Sequence, residues 1–253
     1  MSNAAKVAFI TGGNRGLGFE TARILGKQGI TVVIGSRDLA SGEAAAKKLH
    51  EEGAQSVEAV RFDVNKAADH KEIYDYFARK YGKLDILINN AGIMDEGVER
   101  PAGGAGFNST SRVSAEKLRQ TFETNFFQPI ALTQTLLPLI KKSSAGRIVN
   151  LSSLLGSLTE HANPASRIYD RKTFAYDASK TAINAFTVHL AQELRGTPVK
   201  VNSAHPGWVK TAMGGPMAPM ELSEGGKTSA QLATLGEDGP TGGFFHLGEV
   251  VPW

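Results

Sequence analysis

The chain has 253 residues, of which 41% are hydrophobic and 21% charged, a composition that supports a sizeable buried core and excludes general disorder. The 28 Lys and Arg residues only slightly outnumber the 25 Asp and Glu residues, so the charge does not indicate a nucleic-acid partner. Cysteine is absent, which excludes disulfides and thiolate metal sites and suits a cytoplasmic protein. The six histidines lie far apart without a His-x-x-x-His pair, so no metal site is expected.

The first residues lead directly into an apolar run at Val7, without the basic and long apolar segments of a signal peptide. No apolar run approaches the length of about 18 residues that a membrane-spanning helix requires. We therefore expect no membrane contact and a small molecule as the partner.

Short apolar runs alternate with longer helical patterns along the chain, as they do in βαβ units around a parallel sheet. The continuous Val, Ile and Leu character of these runs is typical of strands covered on both faces. The predicted strands are residues 7–11, 31–35, 57–62, 84–89, 147–151, 199–204 and 243–246. We predict one α/β domain over residues 1–253, a Rossmann fold whose doubly wound parallel sheet has about seven strands with helices on both faces.

Between the strands, a helix is predicted over residues 42–52, with a Glu43–Lys47 pair and a stop at Gly53, and another over residues 67–81. A later helix over residues 177–194 carries apolar side chains on more than one face. Segments 95–112 and 154–173 do not fit a minimal doubly wound fold and are predicted to be loop insertions. Loops of this length in a compact domain are usually functional lids or disordered.

A glycine-rich turn over residues 11–18, Thr-Gly-Gly-Asn-Arg-Gly-Leu-Gly, follows the first strand and opens a helix. Glycines 12, 16 and 18 permit a tight turn and close approach of the backbone to a pyrophosphate, and the helix N-terminus offers free N–H groups to the anion. Such a turn can also be a plain loop. The strand before it, the helix after it and the second strand beyond favour a nucleotide site.

The end of the second strand indicates which dinucleotide is bound. An acidic side chain commonly holds the ribose 2′-hydroxyl there, whereas this strand ends Ser36-Arg37 and Arg15 lies in the glycine turn. Guanidinium groups bind phosphate through two parallel hydrogen bonds, so both arginines favour the 2′-phosphate of NADPH. The alternative is that they are solvated surface residues. Asp38 follows directly and is a candidate N-cap of the next helix.

Tyr176 and Lys180 stand four residues apart, downstream of Ser153. In a helix such side chains lie about 5–6 Å from each other. The ammonium group is therefore predicted to lower the pKa of the phenol, about 10 in a free tyrosine, and so to tune it as a proton donor. The spacing alone is not decisive, because Tyr76 and Lys80 share it and are interpreted as surface residues of an amphipathic helix.

The chain resembles the short-chain dehydrogenase/reductase family in five motifs that stand in the family's order: the glycine turn, Asn89-Asn90-Ala91-Gly92, Asn125, Ser153 and Tyr176-x-x-x-Lys180. The resemblance covers nearly the whole chain. Segments 124–127, 136–141 and 206–211 and the final Trp253 are similar to the NADPH-dependent carbonyl reductase branch, whose insertion before the tyrosine is usually longer. The resemblance implies reduction of a ketone, aldehyde or quinone to the alcohol by hydride transfer.

The resemblance also implies roles for individual residues. The catalytic set would be Tyr176 as general acid, Ser153 as hydrogen-bond partner of the substrate oxygen, Lys180 on the nicotinamide ribose, and Asn125 as holder of a water in the proton relay. NADPH or NADP+ would be lined by Gly12, Asn14, Arg15, Gly16, Leu17, Gly18, Arg37, Asp63, Val64, Asn90, Ala91, Gly92, Tyr176, Lys180, Pro206, Gly207, Val209, Lys210 and Thr211. The substrate would lie against Ser153, Tyr176, Met94, Trp208 and Met213.

Two local questions stay open at this point. Ser152 competes with Ser153 for the oxygen-binding role, and alternation along the strand points only one of them into the site. The family pattern selects Ser153. Pro129 lacks the N–H that would bond the Asn125 carbonyl in a helix, which would leave that carbonyl free for a water. Alternatively, Pro129 is the first residue of a new helix.

Other functions are also open on the sequence. The same fold serves dedicated biosynthetic ketone reductases of the terpenoid or steroid type, alcohol dehydrogenases, and NADP-binding sensors without catalysis. The complete catalytic set argues against the sensor. In much of the family the helix at 177–194 makes dimers, whereas the insertion before Tyr176 accompanies monomers in the carbonyl reductase branch. The sequence therefore favours a monomer over a homo-oligomer.

Overall fold

The computed structural model describes residues 5–95, 107–108 and 110–253, which are organised around one central sheet. In chain order the strands are β1 (Val7–Thr11), β2 (Thr31–Ser36), β3 (Val57–Arg61), β4 (Ile86–Asn89), β5 (Phe107–Asn108), β6 (Arg147–Leu151), β7 (Arg171–Lys172), β8 (Lys200–Ala204), β9 (Phe244–His246) and β10 (Glu249–Val250). Eight of them form the sheet in the order β10-β9-β8-β6-β4-β1-β2-β3, and β5 pairs with β7 separately.

Helices lie between these strands, and both faces of the sheet are covered. In chain order they are α1 (Gly16–Lys27), α2 (Leu39–Glu51), α3 (Ala67–Lys80), α4 (Ala115–Phe122), α5 (Gln128–Ile140), α6 (Leu158–Ala162), α7 (Phe174–Glu193), α8 (Leu222–Gly225) and α9 (Lys227–Ala233). A π turn (Glu123–Phe127) joins α4 to α5, and a 3-10 turn (Leu154–Gly156) follows β6.

The seven predicted strands are all present in the sheet and run parallel to one another, which confirms the doubly wound Rossmann fold. The sheet has one strand more than expected, because the chain turns back after β9 and adds β10 antiparallel at the edge. Strand order reverses between β1 and β4, since β2 and β3 lie on one side of β1 and β4 on the other. In such sheets ligands bind outside the carboxyl ends of the strands at this reversal.

The core consists of two apolar layers, one on each face of the sheet. Strand β1 shows why its sequence lacks polar alternation: Val7 and Phe9 belong to one buried cluster, Ala8 and Ile10 to the other. Successive side chains of a strand point to opposite faces, so a strand buried on both sides needs apolar residues at every position.

A chain of polar side chains crosses the middle of the sheet. Asn89, Asn150 and Ser203 occupy aligned positions on β4, β6 and β8. Asn89 donates to Asn150 at 2.8 Å, Asn150 donates to the hydroxyl of Thr187 on α7 at 2.9 Å, and Ser203 donates to the same hydroxyl at 2.9 Å. All four residues are buried, so these bonds satisfy groups that water does not reach.

Arg147 begins β6 and is 2% exposed although its guanidinium has no carboxylate partner in the part of the chain described. It donates instead to four backbone carbonyls at 2.7–3.1 Å, those of Gly146, Pro198, Leu235 and Gly236. A planar fork of donors suits this task, because several acceptors at different angles can be satisfied by one side chain. Arg147 therefore joins the start of β6 to the chain that follows α9.

Several predicted boundaries need correction. Helix α2 begins at Leu39 rather than residue 42, and its Lys47 lies 3.9 Å from Glu51 rather than pairing with Glu43. Helix α7 begins at Phe174, three residues before the predicted start. The insertion at 154–173 is not irregular, because it contains the 3-10 turn, α6 and β7. Of the insertion at 95–112, residues 96–106 and 109 lie outside the described part of the chain.

Candidate active site

The glycine turn after β1 has a backbone that only glycine suits. Gly12 and Gly16 have φ angles of 64° and 57°, in the left-handed region that side chains disfavour. A Cβ added to Gly18 would lie 2.5 Å from the Asn90 amide nitrogen and 2.6 Å from the Gly12 carbonyl oxygen. The turn is thus closed against the end of β4, and the start of α1 lies at the strand reversal.

Hydrogen bonds from the end of β4 hold this turn in place. Asn90 donates through its side chain to the carbonyls of Thr11 and Gly12, at 2.8 and 3.2 Å. The hydroxyl of Thr11 accepts from the backbone N–H groups of Asn90 and Ala91, at 3.0 and 2.9 Å. Asn90 therefore supports the glycine turn with its side chain. Sequence reasoning missed Thr11, although its place at a strand end beside the turn was a usable signal.

Gly18→Ala is expected to abolish dinucleotide binding while the rest of the fold remains, because the new methyl group overlaps the Gly12 carbonyl and the Asn90 amide. The dissociation constant of NADPH, measured by calorimetry, would show this. Gly236→Ala is the matched control, since a Cβ there meets no atom within 4 Å and the backbone is unstrained. Equal affinity in the two variants would contradict this account of the turn.

The arginines predicted to bind a phosphate lie at the protein surface. Arg15 is the N-cap residue of α1 and Arg37 directly follows β2, and both are exposed. Within the described part of the chain neither forms an ion pair. Asp38 accepts a hydrogen bond from the Ser41 N–H at 2.8 Å, which confirms it as the N-cap of α2. The Asp38 carboxylate, which stands next to Arg37 in the chain, is thus engaged in capping α2.

Asp63 and Val64, the residues predicted to face the adenine, differ in how far their side chains are buried. Asp63 is half-buried, and its N–H donates to Asp69 at 2.7 Å. The side chain of Val64 packs in the buried core, and its carbonyl contacts His70 at 2.7 Å, so Val64 offers little side-chain surface for a base. Asp69, which also pairs with Arg61 at 2.9 Å, was missed because a buried carboxylate in a helix has no local sequence signal.

Helix α7 places Tyr176 and Lys180 one turn apart at the carboxyl edge of the sheet. Tyr176 is 8% exposed and Lys180 is buried. The ammonium nitrogen of Lys180 lies 5.5 Å from the centre of the Tyr176 ring and donates to the Leu151 carbonyl at 2.7 Å. Of the other pair with this spacing, Lys80 is exposed as predicted, contacts the Tyr76 hydroxyl at 3.3 Å and pairs with Glu58. Tyr76 is half-buried against the core, so its prediction as a surface residue is wrong.

Ser153 is the serine that meets Tyr176. It caps the 3-10 turn, where its hydroxyl accepts from the Leu155 N–H at 3.2 Å, and its side chain lies close enough to the Tyr176 phenol to oppose the rise in that group's pKa. Ser152 is buried and points instead towards the Lys180 carbonyl, 3.5 Å away. The alternation along the strand thus separates the two hydroxyls.

Burial is the main cause of the pKa shifts of Tyr176 and Lys180. Burial raises the pKa of Tyr176 to about 12, against the opposing effect of the Ser153 hydrogen bond, and the nearby Asp177 raises it further. Burial lowers the pKa of Lys180 to about 8. The expectation that the ammonium group lowers the pKa of Tyr176 is therefore wrong for this structure. Removing both groups from water disfavours the phenolate and the ammonium alike.

Asn125 lies in the π turn, and its side chain is fully engaged. Its oxygen accepts from the Ile93 N–H at 2.8 Å, and its nitrogen donates to the Ile93 carbonyl at 2.8 Å and to Ser179 at 3.0 Å. Pro129 is the second residue of α5, which continues directly from the π turn because Phe127 also has helical backbone angles. Pro129 is therefore not the first residue of a new helix, and the free Asn125 carbonyl stays a prediction. Single π turns are frequent at functional sites.

Gly92 brings this region close to Lys180. A Cβ added at Gly92 would lie 3.2 Å from the Asn125 side-chain oxygen and 3.6 Å from the Lys180 ammonium nitrogen. Ser179 donates to the Tyr176 carbonyl at 2.7 Å and accepts from Asn125, so it joins the π turn to α7. The predicted residues Gly92, Asn125 and Lys180 are thus neighbours. Ser179 was missed, because a serine inside a helix has no distinctive pattern.

The chain after β8 folds back over the glycine turn. Gly207 has a φ of 90°, and Val209 forms a bridge with Met220. A Cβ on Gly225, in α8, would approach the Leu17 side chain to 2.4 Å and that of Val209 to 3.0 Å. Leu17 and Val209, both predicted to line the cofactor, therefore meet around α8. Pro206 is buried, and Thr211 caps a turn by accepting from the Gly214 N–H at 2.9 Å.

The predicted substrate residues lie partly at the surface. Trp208 is 39% exposed, and its indole N–H donates to the Gly214 carbonyl at 2.8 Å. The guanidinium of Arg171, from the insertion, lies 4.5 Å from the centre of the Trp208 ring. Met213 is exposed and Met94 half-buried. Arg171 was not predicted, because its contact joins segments far apart in sequence.

Residues 5–95, 107–108 and 110–253 contain no group of three or more His, Asp or Glu side chains arranged to hold a metal ion. None of the helices in these ranges is both long enough and apolar enough to cross a membrane.

Comparison with known proteins decides the family. Residues 6–222 match the sequence model of the family described as short chain dehydrogenase, which is most of the chain. The chain belongs to this family. It is therefore a member of a family of oxidoreductases, and the resemblance in its motifs is confirmed.

Curated relatives extend over the full length. The chain is 31% identical to "Carbonyl reductase [NADPH] 1" of Sus scrofa, in an alignment covering 100% of this chain and 96% of that protein. It is 30% identical to the "(+)-neomenthol dehydrogenase" of Capsicum annuum, covering 99% and 98%. The solved structure of salutaridine reductase from Papaver somniferum superposes with a TM-score of 0.79 at 28% identity, covering 95% of this chain and 99% of that one.

Proposed function

We propose that the protein reduces the carbonyl group of a ketone, aldehyde or quinone to the alcohol, with NADPH as the hydride donor. The observation that carries the proposal is the grouping of buried Tyr176 and Lys180 with Ser153 at the strand edge that the glycine turn also occupies. In the same proposal the protein works as a monomer in the cytoplasm, as the sequence predicts.

Tyr176 and Ser153 supply two donors for one substrate oxygen. Negative charge grows on that oxygen during reduction, and donors already aimed at it stabilise the charge without reorganising. Burial raises the pKa of Tyr176 to about 12, so the phenol is protonated at neutral pH. In the proposal Tyr176 donates this proton as the general acid. Ser153 is already oriented, since its oxygen accepts from the Leu155 N–H.

In the proposal, Lys180 and Asn125 support the same proton transfer. Lys180 is fixed by the Leu151 carbonyl, and burial lowers its pKa to about 8. It can therefore exchange a proton near neutral pH. Asn125 is held through both ends of its side chain, and Pro129 leaves its carbonyl without the usual helical donor. In the proposal that carbonyl holds a water that returns protons from solvent.

The residues present fit a dinucleotide with a 2′-phosphate. The space that a Cβ on Gly18 would fill is taken by the Asn90 amide and the Gly12 carbonyl, a close packing that lets the backbone approach a pyrophosphate. Arg15 and Arg37 are exposed beside the start of α1, with Asp38 turned to its helix cap. When bound, NADPH would supply the hydride. The name of the pig relative includes NADPH, which supports the same choice.

Replacing Arg37 by aspartate tests the cofactor. Loss of charge-assisted hydrogen bonds to a phosphate, worth about 1.5–3 kcal/mol, should raise the KM for NADPH about 10–100-fold and improve use of NADH. The measurement is kcat/KM with both cofactors. Arg195→Asp, at an exposed position after α7, makes the same charge change and should leave both values unchanged. An unchanged NADPH/NADH ratio in the Arg37 variant would refute the phosphate role.

A panel of carbonyl compounds tests the reaction itself. Oxidation of NADPH with several ketones, aldehydes and quinones is expected for a broad carbonyl reductase. Turnover of terpenoid or steroid ketones alone would favour a dedicated biosynthetic reductase, the second candidate, which the names of the Capsicum and Papaver relatives support. Binding of NADPH without turnover of any compound would favour a sensor and contradict the proposal.

A further inference from the structure

We propose that His205 is a positioning residue that holds Ser153 in line with the substrate oxygen by accepting a hydrogen bond from the backbone of Leu154. The inference rests on the proposed reductase function, because it concerns how the two donors of that site are kept in place. It adds a residue from the end of β8 to a site built from β6 and α7.

His205 lies just beyond β8 and is 5% exposed. Its ring nitrogen Nδ1 is 3.1 Å from the Leu154 N–H nitrogen and 3.4 Å from that of Gly207. Two N–H donors can face only an unprotonated nitrogen, so the ring is neutral and carries its proton on Nε2. Burial lowers the pKa of His205 to about 3, so the ring stays in this form at neutral pH.

The N–H of Leu154 needs this acceptor. At the start of a helical turn the first N–H groups have no partner inside the turn. Ser153 satisfies the next two, because its hydroxyl accepts from Leu155 at 3.2 Å and its carbonyl from Gly156 at 2.8 Å. The Leu154 N–H is left to His205. The peptide that joins Ser153 to Leu154 is thereby fixed from the β8 side.

The other end of the turn is fixed against α7. A Cβ added to Gly156 would lie 2.8 Å from the Lys180 carbonyl carbon, so the turn presses on the helix backbone. The Gly156 carbonyl accepts from the Thr181 hydroxyl at 3.0 Å. With His205 holding one end and α7 the other, the segment that carries Ser153 cannot drift away from Tyr176.

Stability alone does not account for an imidazole at this place. Its Nε2 has no partner among the described residues, and burying an unpaired polar atom is unfavourable. An apolar side chain of similar size would avoid this cost. The ring is also kept from turning, since His246 packs against it with ring centres 4.8 Å apart and bonds the His205 carbonyl at 2.9 Å. What the imidazole supplies, and an apolar side chain cannot, is an acceptor for the N–H groups of Leu154 and Gly207.

The test compares His205→Leu with His205→Asn. Leucine keeps the bulk and removes the acceptor, whereas the asparagine oxygen stands close to the place of Nδ1. We expect the leucine variant to lose about 10–100-fold in kcat with little change in substrate KM, because a shift of about 1 Å in a reacting group costs this much. The asparagine variant should recover most of the rate. NADPH binding, measured by calorimetry, should stay intact in both.

His50→Leu is the matched control. His50 also bridges two backbone groups, the carbonyls of Ala54 and Val57 at 3.0 and 2.8 Å, but it stands at the end of α2 away from the site. Its loss should lower the melting temperature and leave kcat unchanged. If His205→Leu does not fold, His205→Gln replaces it, since the longer amide places its oxygen elsewhere.

The outcomes are distinct. A leucine or glutamine variant as fast as the original protein, or an asparagine variant as slow as the variant without the acceptor, would overturn the positioning role. A rate restored by asparagine alone would support it. Absence of turnover in the unaltered protein would instead overturn the proposed function, whatever the variants do.

Discussion

Replacing Tyr176 by phenylalanine is expected to lower kcat for carbonyl reduction by about 10²–10⁴-fold, the usual contribution of a positioned acid. The substitution removes the phenolic hydroxyl and leaves the aromatic ring in its buried place. Since the ring keeps its packing, the melting temperature and NADPH affinity should change little. Stopped-flow measurement of NADPH oxidation would separate this chemical step from product release.

Tyr76→Phe is the control for that experiment. Tyr76 and Lys80 have the same spacing and lie on α3, where the ammonium contacts the phenol at 3.3 Å. The Tyr76–Lys80 and Tyr176–Lys180 pairs thus share one spacing and differ in where they lie in the fold. We expect no change in kcat from this substitution. If Tyr176→Phe kept the original rate, the assignment of the general acid would be wrong, together with the reaction proposed from it.

Arg147→Ala is expected to reduce the free energy of unfolding by at least about 3 kcal/mol, because buried carbonyls lose their donors and a cavity replaces the side chain. Four carbonyls depend on this one guanidinium, from residues on three different segments of the chain. Urea unfolding followed by circular dichroism would measure the loss. Arg147→Lys should recover only part of it, since an ammonium cannot reach acceptors in a planar fork.

Arg195→Ala serves as the reference, because this side chain is exposed and surface substitutions usually change stability by less than about 0.5 kcal/mol. Both alanine variants lose the same charge, so the comparison isolates the buried hydrogen bonds. A stability loss at Arg147 no larger than at Arg195 would contradict the structural role given to the guanidinium.

The central strands were predictable because burial on both faces makes them mostly apolar, as Val7–Thr11 illustrates. Helix starts were less accessible. Helix α2 begins three residues early because Asp38 caps it, a cap that was only a candidate in the sequence. The insertion at 154–173 is predicted as a loop, since short elements such as α6 and β7 are set by tertiary contacts rather than by local pattern.

The candidate site likewise has residues that the sequence predicted and residues that it missed. The glycine turn and the Tyr176–Lys180 pair are contiguous motifs, so spacing alone predicts that their members meet. The sign of the Tyr176 pKa shift was mispredicted, because it depends on burial by residues distant in sequence and not on the i, i+4 distance. His205 and Thr11 were missed for a related reason: each acts through backbone N–H groups of another strand end.

The amide and hydroxyl side chains of Asn89, Asn150 and Ser203 have a consequence for how the strands align. Aliphatic strands covered on both faces could slide by two residues and still bury the same kind of surface. A slide of that size would break the Asn89–Asn150 bond and the bonds of Asn150 and Ser203 to Thr187, so it is strongly disfavoured. Asn90, Ser153 and His205 follow the three positions by one, three and two residues, just beyond the ends of the same strands. These three polar side chains thus fix the register of β4, β6 and β8, and with it the relative positions of the loops that follow these strands.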